Sequence, residues 1–207
     1  MTVREQLDRD VRALMRAERY GKASFRTWRT EAHAVVCGRG ASIEREVNVE
    51  FCRRAGIPIF RRPTGGGSVV VGPGTLQWAL AAPLGLSAEL ATIDGAKRLA
   101  NRIVLAGLDD GRLHADGSGD LVLSDRKVGG LALRRTRRAV LIHGTILVGE
   151  DLDLICRALR EPSRQPSYRR NRSHRLFLAN LEPFDVHTFE RRARALLAAL
   201  RPLPAGE

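Results

Sequence analysis

Three consecutive glycines, Gly65, Gly66 and Gly67, follow Arg61, Arg62 and Thr64 and precede the run Ser68, Val69, Val70. Residues without a Cβ let successive backbone N–H groups approach a ligand, and a phosphate or carboxylate suits such a concavity. The two arginines could fork onto phosphate oxygens, and Thr64 would add a hydroxyl at the loop entrance. Taken alone, the segment also reads as an ordinary Gly-rich hairpin turn. Lys127 is the second candidate. Lysine occurs only at positions 22, 97 and 127 in a chain that otherwise uses arginine. A lysine retained just past a tight turn and ahead of Val128, Gly129 and Gly130 points to a need for a compact ammonium. A solvated turn lysine is the competing reading.

His143, Gly144 and Thr145 end an apolar run, where a strand approaches another backbone closely. A lone histidine there is more often a hydrogen-bonded structural residue than a base or ligand. No second histidine stands at metal-ligand spacing, so no structural zinc is expected. A GxSxG nucleophile motif is absent, and the triplet at 117–119 lacks its context. Cys37, Cys52 and Cys156 are odd in number, widely spaced and free of any CxxC arrangement, which reads as buried free thiols.

The elements that must position these residues follow from periodicity. Residues 4–20 form an amphipathic helix. SFRTWRT and AHAVVCG read as two paired strands. Ser42 caps a helix that Gly56 stops. IPIFRRPT is a strand, the glycines a sharp bend, SVVVG a strand and LQWALAAPL a longer one. Residues 88–106 form a helix ending at Gly107. DLVLSD, KVGGLALRR and AVLIHGTILV are strand-like, and helices at 151–160 and 186–200 flank the loop QPSYRRNRSHR, before the frayed tail RPLPAGE. This order gives an α+β fold with a mixed, largely antiparallel sheet flanked by helices, in one domain over 1–207.

Apolar residues make up 43% of the 207 and charged residues 28%, and no apolar run approaches the roughly 20 residues of a membrane span. The first 20 residues lack an apolar core and a cleavage site, so a cytoplasmic protein is expected. A formal charge of +12 asks for an acidic partner. Nucleic acid is one class, but the basic stretches carry no interleaved aromatics and aromatics total 5%. Phosphate-bearing small molecules and acidic carrier domains remain.

The order RRPTGGGSVV, then GDL with Lys127 seven residues after Asp120 in RKVGG, then HGT at 143–145, resembles the lipoate-protein ligase family. The likeness runs from about Trp28 to Leu181. It implies the α+β catalytic domain shared by biotin/lipoate ligases and octanoyltransferases. It implies ATP and Mg²⁺ as cofactors, lipoate as substrate, lipoyl-adenylate as intermediate, and transfer to a lysine of an acidic lipoyl-carrier protein. By position it makes Lys127 the catalytic residue. It assigns Arg62, Thr64, Gly65, Gly66, Gly67, Ser68, Val69, Val70, Asp120, His143, Gly144 and Thr145 to substrate and nucleotide, with Asp120 also a Mg²⁺ ligand or an orienter of Lys127. SVVV and LQWALAA would wall the acyl slot, and the loop RRNRSHR would dock the carrier. The chain departs from the family where His-Asp is replaced by Val71-Gly72 and an Asn by Gly119. With no C-terminal accessory domain expected, a separate accessory protein is implied, or transfer only. An octanoyltransferase and a non-catalytic acyl- or nucleotide-binding member are the alternatives; no nucleic-acid or membrane partner is expected.

Overall fold

The computed structural model describes residues 1–117, 119–162 and 165–200, so the tail reading at 201–207 and Ser118 lie outside the described residues. Thr2 opens α1 (Val3–Tyr20) with a reciprocal capping box to Glu5, and left-handed Gly21 closes it. Next come β1 (Ser24–Trp28), β2 (Ala34–Cys37), α2 (Ile43–Glu46), α3 (Val49–Arg54), β3 (Ile59–Arg61), β4 (Val69–Val71) and β5 (Thr75–Pro83). Two 3-10 turns, Leu84–Leu86 and Ala88–Ala91, lead into α4 (Ile93–Leu108). Four strands follow: β6 (Leu113–Asp116), β7 (Asp120–Leu123), β8 (Arg126–Arg135) and β9 (Ala139–Leu147). The chain continues through α5 (Leu152–Ala158), a 3-10 turn (Ser167–Arg169), α6 (His174–Phe177) and α7 (Val186–Ala199).

Six strands in the order β1-β5-β9-β8-β7-β6 form a wholly antiparallel sheet. A second sheet, β3-β2-β4, pairs β2 in parallel with β3 and antiparallel with β4. The expected α+β class with mixed, largely antiparallel pairing is what the chain adopts. Alternation divides the large sheet into two faces. One carries Phe25, Leu76, Trp78, Leu80, Val128, Ile142 and Ile146 into a core capped by α4 and by Phe189, Ala193 and Leu197 of α7. The other carries small and polar residues. Leu14 and Ala17 of α1 cover it at Ala79, Ala81, Ala139 and Leu141. Among the described residues no helix is long and apolar enough to cross a membrane.

Several local expectations are corrected by packing. β1 and β2 do not pair with each other: β1 edges the large sheet beside β5 while β2 is the centre of the small one. All four residues of β2 are buried, so it needs cover on both faces. The helix expected from Ser42 to Gly56 breaks at Val47, which bridges to Leu159, and Asn48 starts α3 by accepting the Phe51 N–H at 3.2 Å. An Asn serves a helix better as a cap than in its interior. Gly107 does not stop α4, which runs one residue further; it lies inside the helix where a Cβ would come within 3.1 Å of Phe189. The basic loop 165–175 holds a 3-10 turn and the start of α6.

Gly144 sets the spacing of the central strands. A Cβ there would stand 2.6 Å from the Trp78 ring and 2.5 Å from the Gly130 carbonyl oxygen. Gly144→Ala is expected to destabilise the fold by about 2 kcal/mol, lowering the melting temperature by roughly 4–8 °C in a thermal unfolding scan. An unchanged melting temperature would show that the strands are not held this tightly.

Candidate functional site

The glycine loop is shaped from behind by Arg62, which is 6% exposed. Its guanidinium donates to Thr64 Oγ1 at 3.0 Å, to the Val36 carbonyl at 2.9 Å and to the Gly65 and Gly67 carbonyls at 2.7 Å each. Because peptides are planar and trans, drawing those two carbonyls toward Arg62 turns the N–H groups of Gly66 and Ser68 the opposite way. Gly66 has φ +82°, and Gly38 must lack a Cβ because one would overlap the Gly66 carbonyl. Burial pushes the Arg62 pKa down to about 10, which leaves the guanidinium charged at neutral pH. Arg61 donates to the carbonyls of Gly38, Arg39 and Ala41. Both arginines therefore hold backbone rather than offering forks to a phosphate, and the loop presents N–H groups in their place.

Thr64 is fully buried and sits 2.6 Å from His143 Nε2, while His143 Nδ1 lies 3.3 Å from Asp10 Oδ2. Thr64 Oγ1 also accepts from Arg62, and a hydroxyl can both donate and accept, so Arg62, Thr64, His143 and Asp10 form one continuous hydrogen-bonded chain. Asp10 is 1% exposed and pairs with Arg26, which also bonds Gln6. This chain of bonds ties the loop to α1. Thr64 and His143 thus brace the loop from beneath, both buried. Asp10, Arg26 and Gln6 were missed in the sequence. The available signal was an acid at position 10 on the stripe otherwise formed by Val3, Leu7, Leu14 and Ala17.

Lys127 is positioned by a bulge. Val122 pairs with Lys127 but Leu121 pairs with Gly129, so β8 carries one extra residue, Val128, which turns into the core. The Lys127 ammonium then lies across Gly130, where a Cβ would come within 3.0 Å of Nζ, and meets Asp120 Oδ1 at 2.7 Å. Asp120 Oδ2 accepts from the Tyr168 hydroxyl at 2.8 Å. Desolvation, then the Asp120 charge, push the Tyr168 phenol far above its usual range, so it stays a donor. Both oxygens of Asp120 are engaged. Thr145, cross-strand from Gly130, donates to Gln77, which donates to Thr75.

The glycine loop reaches the same strand: Gly65 N–H bonds the Leu133 carbonyl at 3.4 Å, and a Cβ at Gly66 would stand 3.7 Å from Ala132 Cβ. Ala132 and Gly130 are two residues apart on one face, roughly 7 Å along the strand. The Lys127 ammonium and the outward N–H groups of the loop therefore flank a strip of sheet floored by Gly130 and Ala132. Ser68 is turned to Glu46, donating at 2.9 Å. Val70 packs with Val35, Leu147 and Leu178, and Val69 is half-buried beside Val36. Gly144 faces Trp78, away from the strip. The strand LQWALAA does not present an apolar wall here either, since Leu76, Trp78 and Leu80 enter the opposite core and Thr75, Gln77 and Ala79 face the strip. A groove of about 820 Å³ between α4 and the β6–β7 turn is lined by none of the expected site residues. Among the described residues, no three His, Cys, Asp or Glu side chains gather where they could hold a metal ion.

The sequence pattern of the lipoyl protein ligase A/B catalytic domain matches residues 4–201. The chain belongs to this family. A Thermoplasma acidophilum protein named lipoate-protein ligase A subunit 1 is 25% identical over 182 residues, 83% of this chain and 69% of that protein. An Aeropyrum pernix protein provisionally named lipoate-protein ligase A is 31% identical over 136 residues, 64% of this chain. The match covers 48% of the Aeropyrum protein, about half its length. In fold, the chain is similar to the bi-partite lipoate protein ligase of Thermoplasma acidophilum, described with its E2 lipoyl domain (TM-score 0.77, 22% identity, 94% of this chain and 77% of that one). It is similar also to a lipoate-protein ligase A bound with ATP (TM-score 0.75, 22% identity, 95% and 80%).

Within the family, the two departures have structural counterparts. A Cβ at Gly72 would overlap the His33 ring and come within 2.9 Å of Glu150 Oε2, and His33 Nε2 bonds Glu150 Oε1 at 2.8 Å. A His–carboxylate pair from two distant segments fills the volume that a side chain at 72 would need. Gly119 has φ +127°, and a Cβ there would sit 2.8 Å from Leu131 Cγ. An Asn would require both backbone strain and a displaced Leu131.

Arg62→Lys tests the loop's scaffold. An ammonium has three donors and no planar fork, so at least one of the four acceptors is left unpaired, at about 1–3 kcal/mol. Urea unfolding should show that loss, with faster amide exchange at 64–68. Wild-type stability and protection would mean that the carbonyls are satisfied without Arg62.

Proposed function

We propose that this chain is the catalytic unit of a lipoate-protein ligase, activating lipoate with ATP and passing the acyl group to a lysine of a small lipoyl-carrier domain. The observation that carries the reading is the strip on β8, with a lone ammonium at Gly130 and outward loop N–H groups roughly 7 Å away over Ala132. Charge builds up in both steps on phosphate and acyl oxygens, and donors aimed beforehand stabilise it without reorganising. The names of the relatives support the same reading.

In the first step a lipoate carboxylate oxygen bonds the α-phosphorus of ATP as the bond to the β-phosphate oxygen breaks, and pyrophosphate leaves. In the second, a carrier lysine amine attacks the acyl carbon, the carbon–oxygen bond to phosphate breaks, AMP leaves, and the amine loses its proton. In this reading the Lys127 ammonium bridges the acyl carbonyl and the α-phosphate, and its contact with Asp120, itself held by Tyr168, supports that role. Asp120 is the carboxylate in contact with Lys127, and Mg²⁺ commonly uses one or two carboxylates beside substrate phosphates. A Mg²⁺ ion there would draw an Asp120 oxygen from Lys127 or Tyr168, and would offset charge on the pyrophosphate. The Thermoplasma relative's designation as subunit 1 supports a separate accessory subunit here also.

A cysteine-dependent octanoyltransfer is disfavoured by the thiols themselves. Cys37 and Cys52 are buried, and desolvation raises the Cys52 and Cys156 thiols above their usual range. A nucleophilic cysteine needs the reverse. Replacing each with Ser should leave acyl transfer at its wild-type rate, and a trapped thioester would favour the transferase.

The direct assay combines the protein, lipoate, Mg-ATP and an apo carrier domain, reading pyrophosphate release and mass added at the carrier lysine. Supplying lipoyl-adenylate instead isolates transfer. Lys127→Ala should lower the rate by about 10²–10³ in either format. Full activity of that variant in both would remove Lys127 from the chemistry.

A further inference from the structure

The stretch 169–175, expected from sequence to dock a carrier, is largely satisfied internally. Arg169 pairs with Glu161 and lies over Phe177, Arg172 reaches Asp125 at 2.6 Å, and Arg175 reaches Asp153 at 3.3 Å. Arg170 is its exposed remainder. The β8–β9 hairpin is different. Arg134, Arg135, Arg137 and Arg138 fall within five residues, and none pairs with a carboxylate among the described residues. Arg135, Arg137 and Arg138 are exposed and Arg134 half-exposed.

We propose that this hairpin is the docking surface for an acidic carrier domain, an inference that rests on the ligase reading above. The turn is rigid. Thr136 N–H donates to the Ala139 carbonyl at 2.9 Å and Thr136 Oγ1 accepts the Ala139 N–H at 3.2 Å, closing the tip. The Arg138 carbonyl accepts from Leu84 N–H at 2.8 Å, and Arg135 donates to the Ala91 carbonyl at 2.6 Å. Four like charges on one turn repel one another, and an acidic partner removes that repulsion. Holding them on a fixed backbone lowers the ordering cost of binding.

The hairpin is also in the right place. Its strand is the one that carries the site, and the Leu133 carbonyl that receives the glycine loop immediately precedes Arg134. Arg134 pairs with Leu141 as Ala132 pairs with His143, so Arg134 shares the face of Gly130 and Ala132. Arg137 lies roughly 20 Å along the strand from Gly130, and a domain of about 100 residues is about 30 Å across. A carrier seated on the hairpin therefore reaches the Lys127 strip. Nucleic acid fits less well, because the turn has no aromatic ring to stack a base and presents a knob rather than a track.

The test is the affinity of the intact protein for an apo lipoyl-carrier domain, by calorimetry at low and high ionic strength, alongside the modification assay. Arg137→Glu with Arg138→Glu should weaken binding at least tenfold at low salt. High salt should shrink that gap. The Lys pair should hold wild-type affinity, and the Gln pair, which introduces no repulsion, should fall between. Pyrophosphate release from lipoate and ATP should be unaffected. Unchanged affinity in the Glu and Gln variants overturns the docking surface, as does a short DNA duplex that competes with the carrier and loses affinity equally on reversal. If affinity falls on reversal but neither lipoate with ATP nor lipoyl-adenylate modifies the carrier, the ligase reading fails and the docking surface stands.

Discussion

The buried guanidinium of Arg62 is the constraint on which the rest of the site depends. Three glycines in sequence have many conformations, and a loop that presents its N–H groups in one direction needs one. Arg62 selects it by holding the Gly65 and Gly67 carbonyls, and is itself fixed by the Val36 carbonyl and by Thr64. Through Thr64, His143 and Asp10 the same bonds reach the first helix, so α1 packs on the sheet and also sets the loop. A charge buried to this degree is tolerated because each guanidinium nitrogen has an acceptor.

The second half of the site depends on a register error built into the sheet. Without the bulge opposite Leu121 and Val122, strict alternation would send Val128 and Lys127 to each other's faces. With it, the apolar residue fills the core and the ammonium lies on the strip, in the one place where the missing Cβ of Gly130 leaves room. Loop and lysine come from segments some 60 residues apart in the chain, yet both are referenced to β8. The same strand extends into the basic hairpin, so the proposed ligand strip and the proposed docking surface share one element.

The chain belongs to the lipoyl protein ligase A/B catalytic-domain family, and its own packing accounts for the glycines at 72 and 119. At Gly72 a His–carboxylate pair is supplied by His33 and Glu150, and at Gly119 a backbone angle and Leu131 exclude a side chain.

What the sequence determined by itself was local or ordered along the chain. Periodicity marked the helices from 4–20 and 186–200 and most strands, because apolar spacing is dictated by the repeat of the element. The order of the glycine triplet, Asp120, Lys127 and HGT pointed to the family. Asp10 was legible in principle, as an acid on an apolar stripe. Only the tertiary structure decided the rest. It separated β1 from β2, since burial on both faces is a property of the sheet. It gave Arg61, Arg62, Thr64 and His143 bonds within the protein that hold the loop, since a side chain's partners are fixed by what packs over it. It also decided which arginines meet a carboxylate: Arg169, Arg172 and Arg175 do, and among the described residues those of 134–138 do not, which no count of charges along the chain reveals.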